Sequence, residues 1–167
     1  MWRKMSVPDR SDLEVVVGRL LKQRSWTLAV AESCTGGLIS HRITNVAGSS
    51  AYYRGSITAY SCAVKERLLL VPHDTLSRYG AVSKEVAQEM AGNVRGALQA
   101  DVGLAVTGIA GPGGGTPEKP VGLTYVALSA PHGEWVDRHV WSGNRWENKA
   151  HSAEAALALL RRCLEGN

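Results

Sequence analysis

Ala31-Glu32-Ser33-Cys34-Thr35-Gly36-Gly37 is the stretch from which the fold of this chain is read. Before it runs Thr27-Leu28-Ala29-Val30, an apolar segment of the length of a short buried strand. After it Leu38, Ile39, Ile43 and Val46 recur at the spacing of one helical face. The pattern predicts a strand over 27–31, a turn, and a helix over 36–46. Gly36 and Gly37 stand where the backbone must bend or let a ligand come close. Free N–H groups at such a helix start attract anions and can stabilise an oxyanion. An ordinary turn whose Ser or Thr caps the next helix has the same composition.

Working outward, Ser11-Asp12-Leu13-Glu14 has the Ser-x-x-Glu pattern of a capping box and opens a helix over about 11–24. Residues 1–8 read as a flexible tail ending at Pro8. Downstream, Gly48-Ser49-Ser50 is a turn, Ser56 to Tyr60 a strand, and Cys62 to Leu70 a helix that Pro72 closes. A short helix near 74–79 ends at Gly80, and Ser83 caps a stronger one carrying Val86, Met90, Val94 and Leu98 on one side. Val102 to Val106 is a second apolar strand running into a glycine-dense loop, Thr107-Gly108-Ile109-Ala110-Gly111-Pro112 and on to Pro120. Two strands, 122–128 and 134–141, form a hairpin about Pro131-His132-Gly133, and a helix over about 146–164 ends the chain.

This order predicts an α/β fold, a three-layer α/β/α sandwich around a central mixed, largely parallel sheet. No repeat or long linker divides residues 9–167, which read as a single domain. Ligands in such sheets bind beyond the carboxyl ends of the strands, where both glycine turns fall.

The composition excludes several classes. No apolar run approaches the roughly 20 residues that span a bilayer, so no membrane role is expected. Met1-Trp2-Arg3-Lys4 has no apolar stretch behind it, which argues against a secretory signal. Three widely spaced cysteines suit reduced thiols and a cytoplasmic setting. A formal charge of +4 without a dense basic tract, and 6% aromatic residues, argue against nucleic acid as a partner.

Familiar signatures are missing. There is no phosphate loop ending in Gly-Lys-Ser/Thr, no Gly-x-Gly-x-x-Gly with its downstream acid, and no Gly-x-Ser-x-Gly. The five histidines lack metal-ligand spacing, so no metal is expected. What remains is a hydroxyl nucleophile, Ser33, in need of a base. Lys65 lies one turn into the helix after the Tyr60 strand end, and a desolvated lysine can act as a base. From the residues alone a solvated helix lysine is the favoured reading of Lys65, and Tyr60 is either a proton relay or an edge aromatic. Cys34 with Glu32 and Lys65 is a rival nucleophilic set, although Ser33 and Cys34 point different ways on a tight turn.

The blocks Ala31–Gly37, Gly48-Ser49-Ser50, Ala59-Tyr60-Ser61 with Lys65, Thr107–Pro112 and Lys119-Pro120-Val121-Gly122 resemble, in that order, the CinA C-terminal-domain family of nicotinamide-nucleotide amidases. The resemblance runs over about 9–165, with the domain read here as standing alone. It implies hydrolysis of the carboxamide of nicotinamide mononucleotide to nicotinate mononucleotide and ammonia, in pyridine-nucleotide recycling, an amidase reading that expects no cofactor. Carried over by position, Ser33 resembles the nucleophile, Lys65 its base and Tyr60 the assisting hydroxyl. Thr35, Gly36, Ser49, Thr107 and Gly108 resemble pocket groups around the substrate, and Arg145 an arginine suited to its phosphate. Lys149 stands where many members have a further arginine, and supplies charge without a bidentate fork. A homodimer is common among members. The alternative is a non-catalytic nucleotide-binding module that regulates a partner.

Overall fold

The computed structural model describes residues 10–166, so the tail expected over 1–8 lies outside the described residues. The chain runs α1 (Leu13–Arg24), β1 (Leu28–Glu32), α2 (Leu38–Thr44), a 3-10 turn (Ser49–Ala51), β2 (Tyr53–Thr58), α3 (Cys62–Leu69), α4 (His73–Tyr79), α5 (Lys84–Ala97), β3 (Val102–Gly108), β4 (Leu123–Ala130), β5 (Gly133–Val140) and α6 (Arg145–Glu165). The strands form one sheet in the order β2-β1-β3-β4-β5. β1 pairs parallel with β2 and β3, while β4 runs antiparallel between β3 and β5. All strands except β4 therefore point the same way, and the sheet is mixed and largely parallel as expected.

Alternation along the strands sorts the side chains into two cores. Leu28, Val30, Leu104, Val106, Val126 and Leu128 pack with α1, α2 and α6. Ala29, Ala31, Ala105 and Ala127 meet α3, α4 and α5 on the other face, which completes the three layers. The second face is lined by small residues because α5 lies directly on it. A Cβ on Gly103 would come 2.0 Å from the carbonyl oxygen of Ala91 in that helix. Among the described residues no helix is long and apolar enough to cross a membrane.

Two local expectations are corrected. The capping box at Ser11 does not form: Asp12 is the N-cap of α1, without a side-chain cap bond. Glu14 instead pairs with Arg42 of α2 at 2.6 Å, and Arg42 also reaches Glu154 of α6 at 2.7 Å. A capping box is found at α6, where Asn144 and Glu147 bond each other's backbone N–H. The second strand also starts earlier than expected and ends at Thr58, leaving Tyr60 on the connection to α3.

The topology fixes where a ligand can enter. After β1 the chain leaves through α2 toward β2, and after β3 it leaves toward β4 on the other side. Neighbouring strands whose connections diverge leave a crevice beyond their carboxyl ends. Ser33 follows β1, and Thr107-Gly108 ends β3, at that crevice.

Candidate active site

The turn after β1 continues the sheet for one residue, because the N–H of Ser33 donates to the carbonyl of Val106 at 3.0 Å. On the other side the N–H of Ala59 donates to the carbonyl of Glu32 at 2.8 Å, which sets the β2 connection beside the same turn. The hydroxyl of Ser61 accepts from the N–H of Val64 at 3.3 Å and starts α3 there. Lys65 is thereby one turn into α3 and aimed back at the sheet. Its side chain is only 1% exposed.

In its charged form the Lys65 Nζ donates to Ser33 Oγ at 3.0 Å and to the carbonyl of Ala59 at 2.8 Å. Among the described residues it has no carboxylate partner. Burial holds its pKa below the usual lysine range, with partial opposition from the thiols of Cys62 and Cys34. A neutral amine has two N–H groups and one lone pair. With one N–H fixed on Ala59, the lone pair can accept from the Ser33 hydroxyl.

The rival set does not assemble. Burial pushes the Cys34 thiol up to about 12, which removes thiolate at neutral pH. Glu32 is fully buried and committed elsewhere: Oε2 accepts from the hydroxyl of Thr35 at 2.6 Å and from the N–H groups of Gly37 and Ile39, both at 3.1 Å. Its Oε1 accepts from the N–H of Ser40 at 2.9 Å. This carboxylate thus caps α2 from the preceding strand. It also corrects the expectation that the α2 N–H groups are open to an anion. On the turn itself, the N–H groups of Cys34 and Thr35 have no oxygen acceptor among the described residues.

Ser33, Tyr60, Lys65, Thr107, Gly108 and Arg145 line one cavity of about 220 Å³, with Ala81 and Val82 closing another side. Thr107 is held there by donating its hydroxyl to the carbonyl of Ala81 at 2.8 Å. Arg145, the first residue of α6, donates to the carbonyl of Gly111 at 2.6 Å and to the hydroxyl of Tyr60 at 3.0 Å. Tyr60 is 61% exposed, and no hydrogen bond joins its hydroxyl to Lys65 or Ser33. It spans the cavity mouth with Arg145 rather than holding the lysine.

Not every expected residue arrives. Ser49 sits in the 3-10 turn before β2, beside the start of β1, where the N–H of Leu28 donates to the carbonyl of Tyr52 at 2.7 Å. Ser33 is at the opposite end of β1, roughly 15 Å of strand away. Thr35 and Gly36 line a neighbouring cavity instead. A larger cavity, about 450 Å³, lies over α4, α5 and β5 near Glu85, Glu89 and Glu134, and neither the Thr75 nor the Tyr79 hydroxyl in its lining is hydrogen-bonded to a base. Chemistry, not volume, singles out the Ser33 cavity. The Ala59 carbonyl, the Ala81-Val82 wall and the capping role of Glu32 were absent from the sequence reading. The first two carry no sequence signal, being backbone groups or plain apolar residues. An acid three residues before Thr35 and five before Gly37 was a usable sign of the third.

Comparison with known proteins gives the family and the fold. The family model for the CinA C-terminal domain matches residues 10–164. A CinA-like protein of Desulfotalea psychrophila is 49% identical over 156 residues, covering 93% of this chain and 38% of the relative. A putative competence-damage inducible protein of Moorella thermoacetica has the same identity over the same length and coverage. The chain thus spans about two fifths of the length of the curated relatives it matches. Among solved structures, a CinA superfamily protein of Klebsiella pneumoniae superimposes with a TM-score of 0.90 at 30% identity, covering 96% of this chain and all of that one. The competence/damage inducible protein CihA of Agrobacterium tumefaciens gives 0.87 at 36% identity, covering 96% and 99%.

Proposed function

The chain belongs to the CinA C-terminal domain family, and from that premise we propose that it is a cofactor-free amidase acting on the carboxamide of nicotinamide mononucleotide. The observation that carries this reading is the buried Lys65 amine 3.0 Å from Ser33 Oγ, with its pKa lowered by burial. A serine hydroxyl is a weak nucleophile until a base takes its proton, and a lysine is a base only when desolvated.

Neutral Lys65 accepts the Ser33 proton as Oγ bonds to the carboxamide carbon. Backbone N–H groups at Cys34 and Thr35 are the donors available to the developing oxyanion. Lys65 returns the proton to the amide nitrogen, the C–N bond breaks, and ammonia leaves. Water then adds to the acyl carbon, its proton passing to Lys65 and from there to Ser33 Oγ as the carboxylic acid departs. The pyridinium charge makes the carbonyl electrophilic, so an oxyanion site and one base suffice. Arg145 commits two of its five N–H donors to Gly111 and Tyr60 and keeps others for the substrate phosphate.

A coupled ammonia assay with nicotinamide mononucleotide tests the reading. Ammonia release that Ser33→Ala abolishes supports it. Thermal stabilisation by the nucleotide without any ammonia would replace it with a regulatory binding module.

A further inference from the structure

The reading above leaves unused a second cavity of about 280 Å³ that adjoins the first. Their linings have no residue in common but meet at consecutive residues on two segments. Cys34 lines the Ser33 cavity while Thr35 and Gly36 line the second; Arg145 lines the first while Trp146 and Lys149 line the second. Neither reaches the ~300 Å³ at which small-molecule pockets begin, and together they do. A nucleotide with its ring at Ser33 must therefore leave that cavity, and Arg145, which lines it, immediately precedes Trp146 of the second.

The second cavity has its own chemistry. Trp146 is 80% exposed on the first turn of α6, a large aromatic surface left in water. The Lys149 Nζ lies over the turn, 3.7 Å from where a Cβ on Gly36 would stand. It has no hydrogen-bond or ion-pair partner among the described residues, and no carboxylate lines the cavity. The α2 N–H groups are already taken by Glu32, so the cation here is the lysine side chain. Of the other exposed large apolar residues, Leu68, Leu70, Tyr79 and Val140 lie on or just after α3, α4 and β5, and Tyr60, whose hydroxyl accepts from Arg145, lines the first cavity. Trp146 thus does not extend into a broad apolar patch of the kind a protein partner covers. An exposed indole face beside an unpaired ammonium, with the His41 ring in the same lining, matches a base attached to a phosphate.

We propose that this cavity is a second nucleotide subsite, binding a phosphate at Lys149 and the attached base against Trp146, so that the site accepts a dinucleotide with its carboxamide ring at Ser33. The proposal rests on the carboxamide reading for what occupies the first cavity, but the second cavity is tested without it. Adenosine 5′-monophosphate has a base and a phosphate and no carboxamide. Calorimetric titration of the whole chain with this probe, and with inorganic phosphate, reads the subsite directly. Binding of the nucleotide is expected to weaken about tenfold in Trp146→Ala, the size of base–aromatic stacking, and by a similar factor in Lys149→Met. Phosphate binding should weaken in Lys149→Met alone. Melting curves confirm that each variant is folded.

Either of two results would overturn the proposal: no binding by the wild-type chain at millimolar probe, or binding that Trp146→Ala does not weaken, whether or not Arg145→Ala does. A Trp146→Ala change that splits an oligomer and leaves probe affinity unchanged also overturns it, in favour of a second copy on this face. Ammonia release without probe binding at Trp146 defeats this proposal alone. Probe binding at Trp146 without ammonia release defeats the amidase reading alone.

Discussion

Lys65 Nζ lies 3.0 Å from Ser33 Oγ although 32 residues separate the two in the chain. One residue follows β1 and the other is in α3, the helix after β2, so the parallel pairing of β1 with β2 brings them to the same rim. The contact is a consequence of topology, and the chemistry follows from its burial. Removing either group should therefore stop turnover without disturbing the fold. Ser33→Ala and Lys65→Ala are each expected to lower kcat by about 10³ or more, the range seen when a nucleophile or its base is lost. Cys34→Ala should stay within a fewfold of the wild type. Initial ammonia release on purified variants checks all three. Wild-type turnover in Ser33→Ala together with its loss in Cys34→Ala would transfer the chemistry to the thiol.

Burial of Lys65 also sets a pH dependence. Its folded pKa is lowered from 10.5 by desolvation, so the active neutral amine forms as pH rises. The kcat/KM profile should climb with pH along one limb whose midpoint lies below 10.5. The same shift acts on stability. Between the folded pKa and 10.5 the unfolded chain binds more protons, so this group's contribution to stability rises with pH over that window. Below it, the cost of burying the amine is paid in full. Lys65→Met removes the effect, so its melting temperature relative to wild type should be highest at low pH and fall toward pH 10. A difference constant across that range would mean Lys65 is not desolvated.

Glu32 is expected to matter as a clamp. Its carboxylate takes one hydroxyl and three N–H groups within the Ser33–Ser40 segment. Glu32→Ala leaves those buried donors without an acceptor, a loss on the order of 3 kcal/mol. For a domain of this size the corresponding drop in melting temperature is roughly 10 °C. Glu32→Gln keeps one acceptor oxygen and should lose about half as much. Thermal unfolding monitored by circular dichroism measures both.

How far these features can be read from residues alone differs from one to the next. The turn at Ser33 and the start of the Lys65 helix are legible because apolar runs and caps mark the ends of β1 and α3, and parallel strands share their rims. The α5 cap at Ser83 is legible for the same reason, and its hydroxyl accepts from the N–H of Val86 at 3.3 Å. Ser49 is a pocket group only by the resemblance, and composition marks its turn without saying which edge of the sheet it occupies. It precedes its strand while Ser33 follows one, and in a parallel pair those are opposite edges. Ser11 misleads because a capping pattern competes with tertiary pairing, and Arg42 takes the acid. Backbone acceptors such as the Ala59 carbonyl have no letter in the sequence at all.

Gly103 offers a test of the packing that supports the site. It lies on β3 facing α5, and a Cβ there would stand 2.0 Å from the Ala91 carbonyl oxygen and 2.7 Å from Arg95 Cβ. Neither neighbour can yield cheaply, since one is helix backbone and the other the root of a side chain. Gly103→Ala should cost about 3 kcal/mol through overpacking, more than a strand glycine replacement normally would. Urea denaturation reads this as a lower midpoint with an unchanged slope. Since β3 also carries Thr107 and Gly108, the variant's residual activity should fall as well, by displacement of that wall from Ser33.

Tyr60 separates two roles that the sequence leaves merged. As a proton relay its hydroxyl would have to reach Lys65 or Ser33, whereas it accepts from Arg145 at 3.0 Å across the cavity mouth. Tyr60→Phe deletes that acceptor and leaves the Ser33–Lys65 contact in place. The expected result is a KM raised several-fold through a looser Arg145, with kcat changed by less than about tenfold, which is below the 10²–10⁴ attributed to a general acid or base. Arg145→Lys should behave similarly, since it keeps the charge and loses the fork that joins Gly111 to Tyr60. Steady-state kinetics with the mononucleotide distinguishes the cases. A kcat loss in Tyr60→Phe as large as that of Lys65→Ala would mean that the phenol swings inward during turnover and joins the proton path.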